Sequence, residues 1–109
     1  MAISELKIKS EDRKLLKKIQ NGDRNAILQG LTHSGAFYRI NAIISAGKYI
    51  VIEPEIEIYL KRLKEDRVIM NGYRVSDFAY AVLDILKIEK YLGDDIKIRR
   101  LINSEFKFD

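Results

Sequence analysis

Met70-Asn71-Gly72-Tyr73-Arg74-Val75-Ser76-Asp77-Phe78-Ala79-Tyr80-Ala81-Val82-Leu83 holds the strongest structural signal in the chain. Val75, Phe78, Ala79, Val82, Leu83 and then Leu86 recur at three- and four-residue spacing, which places them on one face of a helix over three turns. Asn71-Gly72 is a turn pair, and the short Val68-Ile69-Met70 segment leads into it. Gly93, just past Tyr91-Leu92, is the expected stop.

Working outward, the same periodicity predicts helices over most of the chain. Ser10 suits an N-cap with Glu11 and Asp12 in the first turn. Leu15, Leu16 and Ile19 then form an apolar face that Asn21-Gly22 ends. Before Ser10, the pattern Ile3, Leu6, Ile8 fits either an extended arm or further helix. Asp23 can cap a short helix with Ile27, Leu28 and Leu31 inward. A third helix is expected from Ala36 to Gly47, with Phe37, Ile40, Ile44 and Gly47 as its stripe. Ala42, Ile43 and Ala46 widen that stripe, and the small side chains Ala42, Ala46 and Gly47 admit a close neighbour. Pro54 fits the first turn of a fourth helix carrying Ile56, Tyr59, Leu60 and Leu63. Asp94 and Asp95 can start a last one with Ile98, Leu101 and Ile102 on its apolar side. The expected fold class is all-α, built from short antiparallel helix pairs.

Composition bounds the function. At 109 residues the chain is expected to be one domain, and 47% hydrophobic content is enough to order it. The absence of cysteine excludes disulfide scaffolds, thiolate catalysis and cysteine-containing zinc sites, and a single histidine excludes sites built on several imidazoles. No cofactor or metal site is expected. The N-terminus has no apolar h-region and no 18-residue apolar run exists, so the reading is a cytoplasmic, soluble protein with no membrane partner. The net charge of +4 is compatible with an anionic partner and does not require one.

Two stretches share a plan. His33-Ser34-Gly35-Ala36-Phe37-Tyr38-Arg39-Ile40-Asn41-Ala42-Ile43-Ile44 and the 70–83 segment each place a turn and a basic residue before an alanine-bearing apolar stripe. Gly35 and Gly72 lie 37 positions apart, while Ile40/Ile44 and Ala79/Leu83 lie 39 apart. Over roughly residues 23–91 the arrangement resembles HEAT or armadillo-type helical repeats. The units would be 23–49 and 53–91, with 95–104 as a capping helix and an exposed end open to self-association. Arg39, Ala42 and Ala46 match the second helix of such a unit; in the later unit the basic residue, Arg74, is displaced towards the turn. The resemblance implies a stacked α–α superhelix and non-enzymatic recognition of a protein or nucleic acid.

Tyr38, Arg39, Tyr73, Arg74 and Tyr80 are the candidate protein-binding set, because tyrosine and arginine combine contact area with directional polar groups. The resulting expectation is an adaptor or inhibitor-like binding module. The alternative is nucleic-acid binding through Arg13, Lys14, Lys17 and Lys18, which share the helix face opposite Leu15, Leu16 and Ile19. An enzyme comes third: His33 between Thr32 and Ser34 lacks a nucleophile elbow, and Asp94/Asp95 and Glu65/Asp66 sit at helix boundaries without a calcium-loop pattern. Asp77 and Asp84, seven residues apart, share a helix face; they could accept bonds from a basic partner, and solvation is the plainer reading.

Overall fold

The computed structural model describes residues 2–51 and 53–104, with side chains described from residue 11 onward. Among the described residues six α-helices carry the fold: α1 (Ala2–Gln20), α2 (Arg24–Leu31), α3 (Ala36–Lys48), α4 (Pro54–Arg62), α5 (Val75–Ile85) and α6 (Ile96–Ser104). A 3-10 turn at Leu63–Glu65 and a hairpin of β1 (Ile69–Met70) and β2 (Tyr73–Arg74) join α4 to α5. The fold is all-α apart from that hairpin. Among the described residues no helix is long and apolar enough to cross a membrane.

The first helix does not begin at Ser10. It runs through Ser10 from Ala2, because Ala2–Glu11 contains neither Gly nor Pro and a serine inside a helix costs only a few tenths of a kcal/mol, about the margin that good neighbours supply. It stops at Gly22, whose φ of +84° is left-handed. Gly22 N–H donates to the Ile19 carbonyl and Asp23 N–H to the Lys18 carbonyl, both at 3.0 Å, closing the last turn in the Schellman arrangement. Asp23 then serves the next helix directly, its carboxylate accepting from Ala26 N–H at 2.9 Å.

The core runs from Ile19 through Ile27, Ala42, Ile43, Ile56 and Leu60 to α5, whose Val75, Ala79, Ala81 and Val82 are fully buried, and on to Leu101. Helices α2 and α3 approach closely through Gly30: a Cβ there would lie 2.8 Å from the Ala42 Cβ and 2.7 Å from Ile19 Cδ1. Ala42 is thus the small residue at this close contact and Ala46 is fully buried, whereas Gly47 is only half-buried. Phe37 departs from the expected stripe. It is 45% exposed, because Ala42, Ile43 and Ala46 turn the buried face of α3 away from it.

Two further differences concern turns. Asn71 (φ +54°) and Gly72 (φ +85°) have the paired positive φ values of a two-residue hairpin turn, so the strands pair antiparallel, Ile69 with Arg74 and Met70 with Tyr73. Helix α5 ends well before Gly93. Lys87 takes φ +60°, its N–H donates to the Asp84 carbonyl and Ile88 N–H donates to the Leu83 carbonyl, both at 2.9 Å, so a non-glycine residue makes the left-handed stop. At the last helix Asp95 Oδ1 accepts from Lys97 N–H at 2.9 Å, as the acidic start predicts.

The caps also realign the two similar stretches. Gly35 is the N-cap of α3 and Arg74 that of α5, 39 positions apart, the same offset that relates buried Ala42 and Ile43 to buried Ala81 and Val82. Arg39 consequently corresponds to Phe78, while Arg74 stands at the cap, in keeping with its displacement towards the turn.

Candidate recognition surface

The hairpin is the element that organises the surface. Directly paired residues of an antiparallel ladder project to the same side, so Met70 and Tyr73 face one way and Ile69 and Arg74 the other. The Met70/Tyr73 side lines a groove of about 250 Å³ whose other wall is Phe37, Ile40, Asn41 and Ile44 of α3 and Phe78 of α5. The Tyr73 and Phe78 rings lie 5.6 Å apart. The Ile69/Arg74 side lines a cavity of about 530 Å³ with Gly72, Asp77, Asp95, Ile96 and Lys97. Ile69 and Ile96 are 67% and 66% exposed at its rim.

Paired charges floor this second cavity. Arg74 Nη2 donates to Asp95 Oδ2 at 3.1 Å, and Arg74 Nε lies 3.4 Å from Asp77 Oδ1. Asp77 is 1% exposed, and its Oδ2 accepts from Arg74 N–H at 2.9 Å, capping α5 from the third helical position. Its Oδ1 has no hydrogen bond among the described residues, the Arg74 guanidinium being its nearby cation. Lys97 Nζ donates to the Gly72 carbonyl at 2.5 Å and sits 5.9 Å from the centre of the Tyr73 ring. Two acids and two bases face one another within a largely apolar lining, so the cavity is close to neutral.

The remaining tyrosines and arginine of the expected set have other neighbours. Arg39 Nε donates to Asp66 Oδ2 at 2.7 Å and its Nη1 to the His33 and Ser34 carbonyls at 2.8 Å. Tyr38 stacks on His33 with ring centroids 4.2 Å apart, and burial, followed by the nearby Asp12 charge, pushes its hydroxyl above the usual tyrosine pKa. Tyr80 packs edge-on against Tyr91 at 5.5 Å with the Lys64 ammonium 5.6 Å from its ring. Asp77 and Asp84 are likewise engaged: Asp84 Oδ2 accepts from Tyr91 N–H at 2.8 Å. Tyr73 and Arg74 are therefore joined at the hairpin, while Tyr38 and Arg39 both pack on His33 and Tyr80 belongs to another contact cluster. Phe37 and Ile69 were not singled out by sequence. Phe37 has core spacing, and only the Asn71-Gly72 pair hinted at a hairpin that would expose Ile69.

His33 accepts from Gly35 N–H through Nδ1 at 2.8 Å, which leaves Nε2 3.6 Å from Asp12 Oδ1. Both ring nitrogens thus face partners within the protein. Among the described residues no group of three or more His, Asp or Glu side chains is arranged to hold a metal ion.

Arg13, Lys14, Lys17 and Lys18 are all exposed on α1. Lys14 and Lys18 line a cleft of about 430 Å³ with Glu11 and Leu15, and with Asp23, Asn25, Ala26 and Gln29 at the start of α2. Comparison with protein-family models, with curated proteins and with solved structures finds no match to this chain.

Proposed function

We propose that the protein is a non-enzymatic, cytoplasmic protein-binding module that uses the 69–74 hairpin as a docking ridge, on a helical-repeat-like scaffold. The observation that carries this reading is the groove between α3 and the hairpin, where Phe37 is 45% exposed beside Tyr73 and Met70. An exposed aromatic over an apolar groove, bordered by satisfied polar groups, has the composition of an interface anchor site. Because the charges on the other hairpin face cancel, the groove suits a protein segment with one or two large apolar side chains and hydrogen-bonding groups, not one selected for net charge. In this reading Tyr73 and Arg74 remain in the contact set. Phe37 and Ile69 join them, and Tyr38, Arg39 and Tyr80 serve the scaffold.

The test is affinity capture from nuclease-treated lysate with the full chain and with Phe37→Glu and Ile69→Glu variants, checked for retained helicity by circular dichroism. The purified captured protein is then titrated calorimetrically. The expected result is a saturable partner whose affinity falls at least about tenfold in either variant, the loss of one anchor contact of about 1.4 kcal/mol or more. Equal affinity of folded variants and the parent chain removes the hairpin from the interface. A concentration-dependent dimer abolished by Phe37→Glu would replace the foreign partner with a second copy of the chain.

A further inference from the structure

The cations of this protein are unevenly occupied. Arg24 is bonded to Glu53, Arg39 to Asp66, Lys64 to Glu89 and Arg74 to Asp95. Lys61 lies 4.0 Å from Glu57, Lys97 is bonded to a carbonyl, and Arg62 and Arg99 lie over the Tyr59 and Tyr91 rings. Arg13, Lys14, Lys17 and Lys18 are exposed, and none has an ion-pair or ring partner among the described residues. Arg67, Lys87, Lys90 and Arg100 are likewise exposed without one, but they are dispersed over loops and α6, whereas the first four are clustered on α1. Four unpaired cations within one and a half helical turns repel one another, at a cost that an anionic partner removes.

We infer that this face of α1 is a sequence-independent binding surface for the phosphate backbone of a nucleic acid. Arg13 and Lys17 form one row along the helix and Lys14 and Lys18 a second, each pair separated by about 6 Å of helical rise. A duplex presents phosphates about every 3.4 Å per strand, so each row spans about two phosphate steps. The second row borders the cleft into which Asn25 and Gln29 bring amide donors. The acids nearby leave the first row clear. Asp12 is turned towards His33, Asp23 is engaged by Ala26 N–H, and Glu11 lines the cleft on the side of Lys14 and Lys18. Insertion into a lipid surface is not the better fit, because the apolar side of α1, with Ile19 fully buried and Leu15 packed on the core, faces the protein interior. The residues of this face and cleft include no aromatic ring on which a base could stack, so phosphate contacts position the polymer without reading it. The surface draws on α1 and α2 and on no hairpin residue, and so stands independently of the proposed protein interface.

The experiment is fluorescence anisotropy of two unrelated labelled DNA duplexes titrated with the full chain between about 50 mM and about 200 mM salt. The expected result is equal affinity for both sequences, falling on the order of a hundredfold across that range for four phosphate contacts. The double variants Arg13→Glu/Lys17→Glu and Lys14→Glu/Lys18→Glu should each flatten the salt dependence. The equally charged control Arg67→Glu/Lys90→Glu, and Phe37→Glu, should leave it unchanged. The inference is overturned by absence of saturable binding at the lower salt, by an equal loss in the Arg67/Lys90 control, or by poly-glutamate displacing the duplex at matched charge, which would make the partner an acidic protein.

Discussion

Arg39 Nε donates to Asp66 Oδ2 at 2.7 Å, with both side chains largely withdrawn from water at 13% and 14% exposure. The pair joins α3 to the segment that launches the hairpin, since the other Asp66 oxygen accepts from Val68 N–H at 3.1 Å and the Asp66 carbonyl accepts from Ser76 N–H at 2.9 Å. An ion pair between residues 27 positions apart thus ties α3, one wall of the Phe37–Tyr73 groove, to the segment leading into the hairpin.

Breaking this pair from one side leaves a charge in a poorly solvated place. Arg39→Ala is expected to destabilise the protein by about 2–4 kcal/mol, discounted slightly from fully buried pairs for residual exposure. Urea unfolding checks the value. The double variant Arg39→Ala/Asp66→Ala should cost clearly less than the sum of the single changes, and additivity would show that the two residues do not depend on each other.

Gly30 has no room for a methyl group, with Ala42 Cβ 2.8 Å and Ile19 Cδ1 2.7 Å from the position it would take. Gly30→Ala should therefore cost about 1–3 kcal/mol by forcing α2 from α3. Adding Ala42→Gly should recover part of that loss. A melting temperature unaffected by Gly30→Ala would show that the helices can separate without penalty.

Two helices end on residues poorly suited to a left-handed backbone. Ile50, β-branched and 67% exposed, has φ +53°, and Lys87 has φ +60°. Ile50→Gly and Lys87→Gly should each stabilise the fold by about 0.5–1 kcal/mol, relief of the left-handed penalty outweighing glycine's greater freedom in the unfolded chain. Ile50 should gain more, because its branch lies at Cβ. A fall in the urea midpoint for either variant would contradict this account.

Tyr38 has its hydroxyl pKa raised in the folded protein, first by burial and then by the Asp12 charge. The native state therefore holds this proton more tightly than the unfolded chain. Stability contributed by the neutral phenol is present below the ordinary tyrosine value of 10.0 and is lost as pH rises through the higher folded value. Tyr38→Phe should lose less stability than the parent chain as pH rises above the ordinary tyrosine value of 10.0. Parallel pH–stability curves would remove Tyr38 as the source.

Local signals made most of the helices legible. Asp23, Pro54 and Asp95 act where short-range capping chemistry puts them, and the Val75–Leu83 stripe is buried as its spacing requires. Legibility failed where a residue had two adequate roles. Ser10 could start a helix or continue one, and a preceding run free of Gly and Pro let the helix continue through it. Gly93 was the obvious stop, yet Lys87 made it, because the hydrogen bonds closing α5 outweigh the backbone preference of one lysine. Phe37 carries core spacing, and only the rotation of α3 that buries Ala42, Ile43 and Ala46 leaves it at the rim of a groove.

The candidate surfaces divide in the same way. The basic face of α1 is a property of sequence alone, because residues one turn apart on any helix share a side. That its cations have no ion-pair partner among the described residues, while Arg24, Arg39, Lys64 and Arg74 are engaged, depends on which acids the tertiary fold brings near them. Likewise, Asn71-Gly72 specified a turn by its tolerance of positive φ, whereas the groove beside it required α3 to arrive from a distant part of the chain. Helical periodicity is encoded within a few residues; ion pairs and grooves depend on long-range packing, where each side chain competes for partners that only the folded chain supplies.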